Sequence, residues 1–250
     1  MPCPAEMRLL VAWAACLVWC LCWGAQVQVP VRVSLRHNWH NYSDSAAHAA
    51  PLLEMMEAAG QVWPHAFFSL ISRVWSHSSA GAELKDMSYE HLFHHMEGVL
   101  RSLAVDMHDA YPESHLEEWR TLVAQHAQAA KVESYYQMFE AGSNLRSLNV
   151  PCDTFVHVNG HAYCSLPAAR QAIQALNTSS PLLAHDHVHP SHTAPGPSLV
   201  LYADPYSTSI HEFHDMLHAL CSTSHLKYVF RWRPSIASVQ PRPMSRYLSG

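Results

Sequence analysis

The cysteines are the residues of this sequence whose type and spacing most readily suggest chemistry. The chain has seven of them, and no two form the C-x-x-C pair that lowers a thiol pKa at the start of a helix. Cys152 and Cys164 flank a hairpin-like segment, TFVHV–NG–HAY. In an oxidising compartment this close pair is expected to form a structural disulfide. Cys221 would then remain as a buried free thiol on a helical face.

Histidines are the second candidate group, because imidazole nitrogens bind zinc. The chain has 21 of them. The segment HEFHD is not the HExxH motif of zinc proteases, because Asp215 stands where the second histidine belongs. A composition rich in surface histidine explains the pattern as well, and we predict no metal site. The clustered histidines are His185, His187, His189 and His192 in a loop, and His211, His214 and His218 on a predicted helix.

Other catalytic motifs are missing from the sequence. It has no G-x-S-x-G nucleophile elbow. With only 8 glycines, it has no glycine-rich loop that could hold a phosphate. It also lacks the Asp-x-Asp pair with which many glycosyltransferases hold a metal and a nucleotide sugar. The net charge of −5 argues against nucleic acid as a partner. The residues alone therefore predict no catalytic site and no cofactor.

The N-terminus indicates the compartment. Residues 9–24 form an uncharged apolar run, and Cys22 and Gly24 suit the −3 and −1 positions of a signal-peptide cleavage site. A cleaved signal peptide over residues 1–24 is favoured over an uncleaved anchor, because a membrane-spanning helix needs about 20 apolar residues. Two N-glycosylation sequons, at Asn41 and Asn177, fit the same secretory compartment.

Hydrophobic patterns predict the elements that would position these residues. Alternation predicts a strand over residues 28–36, and Pro51 and Gly60 suit the first turn and the end of a following helix. Apolar residues at three- and four-residue steps predict helices throughout residues 63–142. Further strands are predicted at residues 154–158, 198–202 and 227–232, and further helices at residues 165–176 and 209–221. This order predicts an α/β fold that a helical insertion interrupts.

Several segments occur in an order typical of one family. They are APLLEMMEAA, KVESYYQMF, CDTFVHVNGHAYC, PLLAHDHVHP, SLVLYADPYSTSIHEFHDMLHAL and LKYVFRWRP. They resemble the N-terminal thioredoxin-like domain of UDP-glucose:glycoprotein glucosyltransferase, the folding sensor of the endoplasmic reticulum. The resemblance covers residues 31–250. It implies a thioredoxin-like fold with a helical insertion at about residues 63–145 and without the C-x-x-C redox motif.

The same resemblance implies a function. In that family the N-terminal domain helps to recognise misfolded glycoproteins, and a separate domain uses UDP-glucose, a divalent metal and an Asp-x-Asp motif for glucose transfer. We therefore expect a chain of the endoplasmic reticulum lumen that is not catalytic by itself. Its expected partners are misfolded glycoproteins and downstream domains of the same polypeptide. Nucleic acid and, after signal cleavage, membranes are not expected partners.

The C-terminal YLSG is where the family sequence continues, and so we interpret residues 25–250 as a domain truncated at its C-terminus. The strand at residues 227–232 would then be an exposed edge that invites self-association. Two other hypotheses stay open. One is a stand-alone secreted thioredoxin-fold oxidoreductase, which the missing C-x-x-C disfavours. The other is a secreted His-rich metal-binding protein, which a zinc titration would test.

Overall fold

The computed structural model describes residues 49–140, 150–176, 179–190, 196–223 and 225–233. The predicted signal peptide, the strand predicted at residues 28–36, the asparagines of both sequons and His192 lie outside the described residues, and those statements remain predictions. Within the described residues, no helix is long and apolar enough to cross a membrane.

The described elements follow the predicted order. The helices are α1 (Ala50–Val62), α2 (Phe67–Val74), α3 (Ala80–Asp86), α4 (Tyr89–Asp106), α5 (Pro112–Ala124), α6 (Ala129–Glu140), α7 (Leu166–Gln174) and α8 (Ile210–Thr223), with a 3-10 turn at Pro64–Ala66. The strands are β1 (Thr154–Val158), β2 (His161–Tyr163), β3 (His187–Val188), β4 (Ser198–Ala203) and β5 (Lys227–Trp232). The α/β class and the helical block before the sheet are confirmed.

The five described strands form one mixed sheet in the order β2-β1-β4-β5-β3. Strand β1 pairs antiparallel with both β2 and β4. Strands β4 and β5 are parallel, with Ala203 opposite Trp232, and the crossover that parallel pairing requires is helix α8. Every residue of β4 is buried. The unit β4–α8–β5 is therefore the centre of the sheet.

Apolar stripes hold the helical block together. Leu116, Trp119 and Val123 of α5 recur at helical spacing and are buried, as expected for the core face of a packed helix. Trp119 also donates a hydrogen bond from Nε1 to the Met55 carbonyl oxygen of α1, at 3.0 Å. A buried indole needs such a partner for its N–H. The apolar face that the sequence predicts for α5 thus packs against α1.

Gly60 does not end α1 as predicted, because the helix continues to Val62. A Cβ at position 60 would lie 2.9 Å from Cδ2 of Phe67, closer than real Cβ contacts come. The Phe67 ring also lies parallel to the imidazole of His187, with centroids 3.5 Å apart. Gly60 therefore lets this aromatic pair approach the helix. The prediction was wrong because glycine serves close packing here and not helix termination.

Strand β5 is not the exposed edge that the sequence predicted. The two-residue strand β3 pairs with it, His187 opposite Phe230 and Val188 opposite Val229, and Tyr228 to Trp232 are all buried. Strand β3 lies inside the His-rich segment, which was expected to be a loop. Two residues are too short for a period-2 pattern to be visible, and so the residue pattern by itself did not reveal this strand.

Candidate functional site

The turn between β4 and α8 is the position where a βαβ unit carries a redox C-x-x-C motif. Here that turn reads Asp204-Pro205-Tyr206-Ser207. The Ser207 amide donates to the Asp204 carbonyl oxygen at 2.9 Å, and the Tyr206 amide donates to Asp204 Oδ1, also at 2.9 Å. Asp at the first position and Pro at the second are the residues that such a turn favours.

Asp204 and Ser207 have the spacing of the two redox cysteines but offer oxygen atoms where a redox site has sulfur. A carboxylate and a hydroxyl cannot form the reversible bond on which dithiol chemistry depends. The absence of a C-x-x-C pair was visible in the sequence, but the place of the redox position in the fold was not. The signal was present, however, because a polar segment of six residues, 204–209, separates the apolar strand SLVLYA from the next helix.

The helical block covers this turn. Trp75, which follows α2, donates a hydrogen bond from Nε1 to the Pro205 carbonyl oxygen at 3.0 Å. Gly81 of α3 packs so closely that a Cβ there would lie 2.7 Å from the carbonyl oxygens of both Tyr206 and Ser207. Asp204 is 6% and Ser207 7% exposed. The end of the sheet where α/β proteins usually bind ligands is therefore occupied by the chain itself.

The close contact at Gly81 leads to a first prediction, which concerns the stability of a variant at this position. Gly81→Ala is expected to lower the free energy of unfolding by about 1–3 kcal/mol, because two backbone oxygens must move. Gly98→Ala is the matched control, since Gly98 is also helical but has no atom within 4 Å of a built Cβ. That variant should gain about 0.5–1 kcal/mol of helix stability. Urea denaturation of both variants measures their free energies of unfolding. Equal changes in stability in the two variants would contradict the conclusion that α3 covers the turn.

The two cysteines of the hairpin-like segment are bonded in the structure. Cys152 and Cys164 form a disulfide with their Cα atoms 5.9 Å apart, and Cys221 is a buried free cysteine. Burial raises the pKa of the Cys221 thiol to about 12, which makes it a poor nucleophile. The disulfide links Cys152, two residues before the start of β1, to Cys164, the residue directly after β2. It therefore closes the hairpin at the end of the sheet that also holds the β4–α8 turn.

The His-rich segment ties the edge of the sheet to the helical block. Asp186 accepts hydrogen bonds from Nε and Nη2 of Arg231, both at 2.6 Å, and these side chains are 1% and 4% exposed. His187 Nε2 lies 2.9 Å from Oε1 of Glu57. His189 packs its ring against Phe68, at 4.7 Å between centroids. These side chains point to different partners, and so they do not converge on a common ligand.

Glu57 is the centre of a buried polar network that no motif or spacing in the sequence indicates. Its side chain is fully buried, and Lys131 Nζ lies 2.5 Å from Oε2. Oε1 accepts hydrogen bonds from the Tyr135 hydroxyl and from Trp232 Nε1, each at 2.9 Å. Burial acts to raise the pKa of Glu57, but His187 and Lys131 outweigh it and lower the pKa to about 2. Glu57 therefore stays ionised and joins α1, α6, β3 and β5.

Ser72, His214 and Tyr228 resemble a nucleophile with its base. His214 Nε2 lies 2.9 Å from Ser72 Oγ, and Nδ1 lies 2.8 Å from the Tyr228 hydroxyl. Ser72 Oγ also donates to the Phe68 carbonyl oxygen, however. All three bonds form together when Tyr228 donates to Nδ1 and Nε2–H donates to Ser72. A protonated Nε2 cannot accept the serine proton, and so this chain of bonds is structural and not catalytic.

The buried His214 makes stability depend on pH. Burial lowers the pKa of His214 to about 3, whereas the unfolded chain titrates this group near 6.5. The unfolded state therefore binds more protons below pH 6.5, and stability falls as the pH falls through this range towards 3. From this group alone we expect a loss of about 2 kcal/mol between pH 7 and pH 5.

Urea denaturation at both pH values measures this loss. The pKa values of His157 and His185 are also lowered by burial, and they act with the same sign. His214→Phe should flatten the pH dependence although it removes two hydrogen bonds. His94→Gln is the control, because it removes a histidine whose side chain is exposed. An equally steep dependence in His214→Phe would contradict the assignment.

No group of three or more metal-ligating side chains occurs among the described residues. His211 and His218 lie on α8 with His214 between them, and the His214 ring nitrogens already have partners in Ser72 and Tyr228. Of these three histidines, His214 is thus part of the packing between α8 and its neighbours, whereas His218 is exposed.

The sheet, its covering helices and the turn without cysteines together define the class of this protein: an α/β domain of thioredoxin type with no dithiol site at its central βαβ unit. The family model described as a thioredoxin-like domain matches residues 49–240, more than half of the chain. The chain belongs to this thioredoxin-like domain family. A comparison with curated proteins finds no match.

Proposed function

We propose that this chain is the N-terminal thioredoxin-like domain of a UDP-glucose:glycoprotein glucosyltransferase and that it contributes to recognition of misfolded glycoproteins in the endoplasmic reticulum lumen. The observation that carries the proposal is the β4–α8 turn. It has Asp204 and Ser207 at the redox spacing, and the helical block covers it. A thioredoxin-like domain changed in this way is suited to binding and not to electron transfer. The segment order described above supports the choice of family.

The proposal assigns the chain a binding role within a longer polypeptide. Its partners would be misfolded glycoproteins and the downstream domains. Glucose transfer, with UDP-glucose and a divalent metal, belongs to the separate catalytic domain of that family. Neither nucleic acid nor, after signal cleavage, a membrane has a part in this function. Asn41 and Asn177 would carry N-glycans in the same compartment.

Binding to a non-native glycoprotein tests this proposal directly. The full chain, immobilised under oxidising conditions, is expected to bind a reduced and denatured glycoprotein at least about tenfold more tightly than the same glycoprotein in its native form, a difference of about 1.4 kcal/mol. Surface plasmon resonance measures both affinities. A heat-unfolded preparation of the chain is the control for adhesion to exposed apolar surface. Equal affinity for the native and denatured forms would refute the recognition role.

A second assay separates the proposal from the oxidoreductase hypothesis. We expect no catalytic turnover of insulin disulfides by the purified chain, because the β4–α8 turn has no thiol, Cys221 is buried, and Cys152 and Cys164 are bonded to each other 12 positions apart and not in a C-x-x-C motif. Thioredoxin under the same conditions is the positive control. Catalytic turnover would favour an oxidoreductase. Saturable zinc binding at micromolar concentration would instead favour the His-rich metal-binding hypothesis.

A further inference from the structure

The Cys152–Cys164 disulfide joins residues at the surface of the described sheet. Cys164 is exposed, and Cys152 is half-buried against the second apolar cluster of the sheet, which contains Phe155, Val200, Tyr202 and Val229. Disulfides that resist reduction are typically inaccessible, whereas exposed ones are the labile ones. Of the two bonded residues, only Cys164 is exposed. An external thiolate would therefore reach Cys164 Sγ first.

The surroundings of the two cysteines favour the departure of each sulfur as a thiolate. Arg233 donates a hydrogen bond from Nη1 to the Cys152 carbonyl oxygen at 2.6 Å, which brings a cation to that residue. Cys164 directly precedes Ser165, the N-cap of α7, and the Ser165 side chain makes no capping hydrogen bond. Positive charge and a helix N-terminus both lower a thiol pKa, and a thiol of lower pKa leaves faster in exchange.

We propose that Cys152–Cys164 is a surface site of thiol–disulfide exchange with a small thiol such as glutathione. The thiolate attacks Cys164 Sγ, a bond forms between the two sulfurs, and the electron pair of the broken bond goes to Cys152 Sγ. Cys152 then takes a proton from water. A second thiol attacks the external sulfur of the mixed disulfide and releases Cys164 as a thiolate. Two small thiols are thereby oxidised to one disulfide, and the two cysteines are reduced.

Opening this bond would loosen one end of the sheet and leave the helical block in place. The segment next to Cys152 contacts the β4–α8 turn, since the Asp204 amide donates to the Asp153 carbonyl oxygen at 3.1 Å. Arg233 holds the same segment through the Cys152 carbonyl oxygen. Both contacts depend on the position of residues 152 and 153, which the disulfide fixes. The redox state of the pair thus controls the order of the turn.

Mass spectrometry after exposure to glutathione tests the proposal. The oxidised full chain is placed in millimolar reduced glutathione without denaturant, quenched with acid, alkylated and digested. We expect a glutathione adduct on Cys164 first, then both free thiols, while Cys221 reacts at least about tenfold more slowly. Cys221→Ser is the matched variant and should show the same kinetics, because Cys221 has no part in the exchange.

Hydrogen exchange of the reduced chain tests the structural consequence. We expect faster exchange at residues 150–165 and at the β4–α8 turn, with unchanged protection in α4 and α5. The proposal is overturned if the disulfide stays intact in glutathione until denaturant is added, if the first adduct forms on Cys152, or if reduction removes protection across the whole domain.

Discussion

Glu57→Gln is expected to lower the free energy of unfolding by about 3 kcal/mol, because it leaves Lys131 without its buried counter-charge. Glutamine keeps the volume of the side chain but removes the charge that Lys131 and His187 contact. This loss lies at the lower end of the range for removing one partner of a buried ion pair. Lys131 is 32% exposed, and water can therefore solvate its ammonium group in part. The melting temperature should fall by about 10 °C in a chain of this size.

The matched control is Glu118→Gln on the exposed face of α5. It removes the same charge from a helix surface and should change stability by less than about 0.5 kcal/mol. Chemical denaturation of the two variants at pH 7 provides the comparison. Equal small effects in both would show that Glu57 does not hold α1, α6, β3 and β5 together.

Asp186→Asn is expected to have the largest effect, about 4 kcal/mol, because Arg231 would remain buried without an opposing charge. Both side chains of this pair are almost fully buried, so that water cannot replace the lost carboxylate. The Nη1 group of Arg231 also donates to the Tyr202 hydroxyl, which is neutral and cannot compensate the charge. The pair is therefore the main anchor of β3 on β5.

Two measurements are needed for this variant. Urea denaturation reports the loss of stability, and limited proteolysis reports whether residues 181–190 become accessible before the helical block does. Asp86→Asn, at the exposed end of α3, is the control and should stay within about 0.5 kcal/mol of the natural sequence. If residues 181–190 stay protected in Asp186→Asn, the anchor lies elsewhere.

The sequence by itself determined the local elements of this protein. Helices α4 and α5 follow apolar residues at three- and four-residue spacing, and strands β1, β4 and β5 are apolar runs bounded by polar turns. Such patterns can be recognised in the sequence because each helix or strand buries one face, and the residues of that face recur at the period of the element. The close spacing of Cys152 and Cys164 likewise indicated a pair, since only a short hairpin separates them. The α/β class and the helical insertion followed from the order of these elements.

The tertiary structure alone decided which distant residues meet. Glu57 lies in an apolar helix, and its partners Lys131, His187 and Trp232 come from three other elements, so no local spacing could reveal the network. The covering of the β4–α8 turn depends in the same way on Trp75 and Gly81, far away in the chain. Strand β3 exists because Asp186 and His187 are held by buried partners. Contacts between residues remote in sequence are set by how the elements pack, and a periodic pattern carries no information about that choice.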